Sequence, residues 1–187
     1  MVGLMSLWLP ILLAAVAVFV ASSITHMVLR YHRSDFQGMP GEEGVREAIR
    51  KAGVKPGSYM FPHCEDMGEL KNPEVVKKWE QGPVGMMHVL PSGPPTMGKA
   101  LGQWFVYSLI IGFLVAYVTG RTLPAGTEYL QVFRVAGTVA FLAYAGAEPM
   151  MSIWKGQKWS TTAKNVFDDF IYAMLTGGIF GWLWPGV

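Results

Sequence analysis

Two adjacent aspartates, Asp168 and Asp169, stand at the head of a long apolar run, NVFDDFIYAMLTGGIFGWLWP. Carboxylates inside a membrane are costly and by default mark a proton relay or a charged partner. At a helix N-terminus they have a cheaper use, because the macrodipole favours negative charge there. Lys164, four residues before Asp168, falls on the same helical face. The first-turn position favours the structural use, with a proton or partner site as the alternative, since no further acid follows Asp169 along the run.

Arg134 lies within another apolar run, YLQVFRVAGTVAFLAY. An intramembrane arginine needs a partner, and the candidates are Glu128, a helix-terminal carbonyl, a lipid phosphate or another subunit. His26 is the one histidine in an apolar run, because His32, His63 and His88 fall in a polar segment. A haem held by two histidines needs a second one at matching depth. His26 is therefore a candidate cofactor-binding residue only for a single-histidine pigment or a shared haem, and no resident cofactor is expected. The run HCED, His63 to Asp66, holds four ligand types, but adjacent side chains diverge and no spaced pair follows, so no metal is expected. Ser22, Ser23 and His26 lie close together, yet no glycine-rich nucleophile motif accompanies them. The single cysteine, Cys64, excludes paired-cysteine redox chemistry within the chain. No catalytic residue is expected, and the chain reads as a non-enzyme.

The elements that must carry these residues are membrane helices. Of the 187 residues, 51% are hydrophobic, and they cluster in runs near the length that crosses about 30 Å of hydrocarbon. Four runs stand out: Leu7 to Leu29, Leu101 to Gly120, Tyr129 to Met151 and Asn165 to Trp184. The expected fold is all-α and polytopic, with transmembrane helix 1 in residues 1–29, an extramembrane segment in 30–100 and helices 2 to 4 in 101–187. The first run is expected to be a retained helix and not a cleaved leader. Met1 to Ser6 carries no Lys or Arg, and no small-x-small site precedes Arg30.

Charge sets the threading. Lys and Arg concentrate in 30–100 and in the loop with Lys155, Lys158 and Lys164, whereas the opposite side has only Arg121. The positive-inside rule then makes 30–100 cytoplasmic and both termini periplasmic, in a bacterial inner membrane. Tryptophans agree, with Trp8, Trp182 and Trp184 at one boundary and Trp104, Trp154 and Trp159 at the other. The basic residues follow topology, so no nucleic-acid partner is expected. Under this threading His26, Arg30, Glu148, Asp168 and Asp169 share one shallow cytoplasmic layer, with Glu148 and Pro149 closing the third helix.

Within 30–100, Val45, Ala48, Ile49 and Ala52 predict a short helix stopped by Gly53. A short extended piece is expected at Tyr59 to Phe61. Asn72 caps a second helix with Pro73 at its first position and Gly82 at its end. The stretch GPVGMMHVLPSGPPTMGK, Gly82 to Lys99, is too rich in proline and glycine for a helix. It reads equally as an apolar docking strap or as a linker. Small residues recur every fourth position at Gly112, Ala116 and Gly120, and again at Ala173, Gly177 and Gly181. Such faces let membrane helices approach closely, in this chain or between chains.

The segments SSITHMVLRYHRSDF, GPVGMMHVLPSGPPTMGK and YLQVFRVAGTVAFLAY, the last followed by SIWKGQKWS, resemble a widespread group of small bacterial four-helix integral membrane proteins. The resemblance runs along most of the chain and implies the topology, but no catalytic residue. The function expected from the packing faces, the strap and the arm is a non-catalytic accessory subunit of a larger membrane complex, photosynthetic or respiratory. Its partners would be the lipid bilayer and other membrane subunits. The alternative is a small oligomeric carrier or proton-coupled transporter.

Overall fold

The computed structural model describes residues 1–186, which form two compact units: 1–36 together with 96–186, and 37–95. The larger unit is a bundle of four long helices. Its first helix, α1 (Trp8–Ser23), is preceded by a 3-10 turn at Leu4–Leu7 and continues into a π-helical turn at Ile24–Val28. The other helices of this unit are α4 (Met97–Thr122), α5 (Tyr129–Ala145), α6 (Glu148–Lys155) and α7 (Trp159–Trp182). The smaller unit holds α2 (Glu42–Lys51), α3 (Pro73–Gln81) and the strands β1 (Gly57–Phe61) and β2 (Gly85–Val89).

Three helical stretches are long and apolar enough to cross a membrane: Leu4–Val28, Met97–Thr122 and Tyr129–Lys155. Their outward faces carry Leu12, Val16, Val20, Ile110, Phe113 and Leu114, all exposed. The 24 residues of α7 match them in length, but its first half contains Lys164, Asp168 and Asp169.

The core is built from small residues. Helix α7 packs against α5 and α1, and α4 packs against α1 and α5. Where α7 crosses α5, a Cβ added to Gly177 would lie 2.9 Å from the Phe133 carbonyl oxygen and 3.1 Å from Gly137 Cα. Only glycine permits that approach. Ala173, Ala136 and Ala140 are fully buried beside it. On α4, Gly112 meets the backbone of Ile11, and Gly120 accepts a 2.9 Å hydrogen bond from the Val2 amide. Both small-residue faces thus pack within the chain.

The bundle departs from the sequence expectations in three places. First, α7 starts at Trp159, six residues before the apolar run. Lys158 is its extended N-cap, and the Lys158 carbonyl accepts from the Thr161 and Thr162 amides. Asp168 and Asp169 therefore stand in the third turn and not the first. Second, the third run is broken. Helix α5 ends at Ala145, and α6 opens with Glu148 and has Pro149 in its first turn. Proline has no amide hydrogen and cannot continue the α5 ladder, but it suits the first turn of a new helix. Glu148 so begins a helix where the sequence suggested an end. Third, α4 begins at Met97 and takes in the last residues of the supposed strap.

In the smaller unit both short helices form as expected. The Asn72 side chain accepts from the Glu74 amide at 3.0 Å, and Gly53 follows α2 in the left-handed conformation. The all-α expectation needs a correction here: the strap residues Gly85–Val89 pair antiparallel with Gly57–Phe61, in the register Gly57↔Val89 to Phe61↔Gly85. No residue of α2, α3, β1 or β2 is buried.

Candidate functional site

One end of the bundle gathers most of its charged side chains; Arg121, Glu128 and Arg134 lie toward the other. The π turn after α1 adds a residue to the helical turn, closed by the Leu29 amide donating to the Ile24 carbonyl at 2.9 Å. Such turns recur at functional sites. Within it, His26 Nδ1 lies 3.1 Å from the Ser22 carbonyl and 2.9 Å from the Thr25 hydroxyl. The 3-10 turn Tyr31–Ser34 then folds the chain back over α7.

This return sets His32 between two carboxylates. His32 Nδ1 lies 2.6 Å from Asp35 Oδ2, and His32 Nε2 lies 3.0 Å from Asp168 Oδ2. An imidazole donates from both nitrogens only as the cation. His32 thus joins Asp35 and Asp168 into one hydrogen-bonded chain. Tyr31 donates its hydroxyl to the other oxygen of Asp168. Burial, followed by the hydrogen bond and charge of Asp168, pushes the Tyr31 phenol up and keeps it a donor. Lys164 donates to Asp35 Oδ1, the Tyr31 carbonyl and the Ser34 hydroxyl, each at 2.7 Å. Burial alone would raise the Asp35 carboxyl, but Lys164 and His32 outweigh it and hold Asp35 below the usual carboxylate range. Lys164 thus serves Asp35 and not Asp168, whose face it shares in sequence.

Asp169 is in a different position. It is only 8% exposed, and among the described residues it makes no hydrogen bond or ion pair. It lines a cavity of about 410 Å³ together with Glu148, Asp168 and His26. The aromatic wall of that cavity is Trp104, Tyr107, Tyr144 and Tyr172, with Tyr144 and Tyr172 ring centroids 5.7 Å apart and Trp104 6.0 Å from Tyr172. Trp104 is fixed by its indole N–H, which donates to the Ser22 hydroxyl at 2.8 Å. Glu148 is fixed by Asn165, which donates to it at 2.7 Å.

Of the residues singled out in the sequence, His26, Glu148, Asp168 and Asp169 meet at this cavity, while Arg30 is exposed and does not line it. Arg134 is exposed on α5, ten positions before Tyr144, and makes no ion pair or hydrogen bond among the described residues. At 1.5 Å per residue it sits about 15 Å along the helix from the cavity wall. The Ser22 and Ser23 hydroxyls both donate to the Phe19 carbonyl, and neither bonds His26. Gly112, Ala116, Gly120, Ala173, Gly177 and Gly181 are packing positions away from the cavity.

Sequence reasoning missed Tyr31, His32 and Asp35, although RYHRSD directly follows helix 1 and carries three groups able to reach back. His26, His32 and Asp168 also bring one donor atom each within 4.8 Å of one another. As a metal site this geometry is poor. The His26 and His32 rings stack at 4.3 Å and 10°, so their in-plane lone pairs do not converge, and both nitrogens of His32 face carboxylates. Comparison of the chain with protein-family models, curated proteins and solved structures returns no match. The functional reading therefore rests on the site.

Proposed function

We propose that the protein is a small carrier with four membrane-spanning helices that loads a small molecule into the Asp169 cavity in exchange for a proton. The observation that carries this reading is Asp169 itself. A carboxylate so buried needs either a proton or a counter-charge, and it faces a cavity of the size that small molecules occupy, about 300–1,000 Å³. The neighbouring Asp35–His32–Asp168 chain supports it, because it offers a place from which a proton can be taken or returned. The fourth span would be α7, which packs against α1 and α5. The distribution of Lys and Arg supports a bacterial inner membrane with 30–100 cytoplasmic and the termini periplasmic. The cavity would then open to the cytoplasm.

The test is proton movement in proteoliposomes with a trapped pH-sensitive dye. An organic cation, a neutral amino acid, a sugar and a quinone are added in turn. At least one class should shift the dye in wild type and fail to do so with Asp169→Asn. No response to any class overturns the carrier reading.

A second reading, the accessory subunit of a larger complex, is favoured by the smaller unit. Residues 37–95 contain two helices and one antiparallel strand pair without one buried residue, and Phe61, Val84 and Leu90 are exposed. Such a segment gains stability from a covering surface. Native extraction in mild detergent separates the two readings: a particle containing only this chain fits the carrier, and stoichiometric companions fit the subunit.

A further inference from the structure

We infer that the cavity takes an organic cation, an ammonium-type head on an apolar body, with Asp169 as its counter-charge. This rests on the small-molecule reading above and narrows it to a ligand class. The cavity lining includes Asp168, Asp169 and Glu148 but no Lys or Arg. An anion would meet three carboxylates with only His26 as a compensating group, and a neutral molecule filling the cavity would strip water from Asp169 without supplying a counter-charge. The aromatic wall adds a second attraction of the same sign. Trp104, Tyr107, Tyr144 and Tyr172 line the same cavity as the acids, and the faces of such rings attract cations.

Size and lining argue against a bare inorganic ion. Such ions want a shell of six or more oxygens, whereas this cavity of about 410 Å³ also presents Leu101, Met27 and Met97. An apolar body fits those residues. The shared chemistry could come from a free amphiphilic cation or from the amine of a lipid headgroup.

A proton competes with the cation for Asp169. The groups that face it are Glu148 from α6, Asp168 and Tyr172 from α7, His26 from the π turn, Tyr144 from α5 and Tyr107 from α4. Apart from His26, these groups are neutral or negative under ordinary conditions, so acid weakens cation binding by protonating carboxylates.

The test uses the full chain in detergent and its tryptophan fluorescence, with Trp104, one of seven tryptophans, as the reporter in the cavity. Tetraphenylphosphonium is titrated beside tetraphenylborate, which has the same shape and opposite charge, and beside neutral triphenylphosphine oxide. The expected result is a saturable response to the phosphonium, at least about tenfold tighter than to the other two. The response should disappear in Trp104→Phe, weaken at least about tenfold in Asp169→Asn, and weaken in wild type as the pH falls. The wild-type pH series stands if the Asn variant fails to fold. Competition by phosphatidylethanolamine would assign the cation to a lipid headgroup; no competition would assign it to a free molecule. Equal or tighter binding of the borate or the oxide, still sensitive to Asp169→Asn, would overturn the cation while leaving a small-molecule cavity. No saturable response to any of the three overturns the cation; if the proteoliposome panel is also silent, the carrier reading falls with it.

Discussion

Gly177 and Gly178 are neighbours in sequence, and alanine should have opposite effects at the two positions. At Gly177 the new Cβ would meet three backbone atoms of α5: the Phe133 carbonyl oxygen at 2.9 Å, and Gly137 Cα and N at 3.1 Å each. Ordinary contacts of a Cβ begin near 3.4 Å, so α5 and α7 must separate by several tenths of an ångström. Backbone cannot rotate away as a side chain can. A gap of this order forfeits a sizeable fraction of the dispersion energy along the crossing, and overpacking of this kind costs about 1–3 kcal/mol. At Gly178 the added Cβ meets only the Tyr129 hydroxyl, at 3.6 Å. That contact is ordinary, and replacing a helical glycine with alanine stabilises by up to about 1 kcal/mol. Gly137→Ala belongs with the second case, because its nearest neighbour is the Ala173 carbonyl oxygen at 3.6 Å. Unfolding midpoints in detergent, followed by tryptophan fluorescence, check the series. Gly177→Ala should fall below wild type, with Gly178→Ala and Gly137→Ala at or above it. A Gly177→Ala variant as stable as Gly178→Ala would refute the helix crossing described above.

Thr119 is fully buried, and its hydroxyl has no hydrogen-bond partner among the described residues. Thr119→Val should therefore be neutral or stabilising by about 1 kcal/mol in the same assay. Asp35 is held below the ordinary carboxylate range, so the stability it contributes is fully present above about pH 4 and is lost as the pH falls through its lowered folded value. Lys164→Met should cost about 1–3 kcal/mol near neutrality and flatten that acid dependence, which an unfolding series from neutral to acid pH would measure. Cys64 is the only cysteine and is partly exposed, so it reports the threading directly. An impermeant maleimide should leave it unlabelled in intact cells and label it once the membrane is opened; labelling in intact cells would reverse the proposed orientation.

The local elements were legible because their signals are local. Asn72, Pro73 and Gly82 mark α3 by capping chemistry alone, and three of the four apolar runs correspond to stretches long and apolar enough to cross a membrane. The start of α7 was hidden because hydropathy reports what lipid would cover, not where a helix begins. The mostly polar stretch Trp159 to Lys164 is helical all the same, and it moves the aspartate pair from the first turn to the third. The same blindness conceals the restart at Glu148, since Pro149 reads equally as an end or a beginning. Layering by depth did bring His26, Glu148, Asp168 and Asp169 to one place. It could not supply His32, whose position between Asp35 and Asp168 depends on a π turn and a 3-10 turn that leave no periodic trace. The pairing of Gly57–Phe61 with Gly85–Val89 is likewise a non-local choice of register.

The central claim is that a ligand and a proton compete for Asp169, and a count of protons tests it most directly. The purified full chain, in weakly buffered detergent solution near neutral pH, is titrated with tetraphenylphosphonium while released acid is measured against bound ligand. The account predicts net proton release that accompanies saturable binding, and binding without release, or neither, in Asp169→Asn. Saturable binding to wild type with no proton released would contradict it.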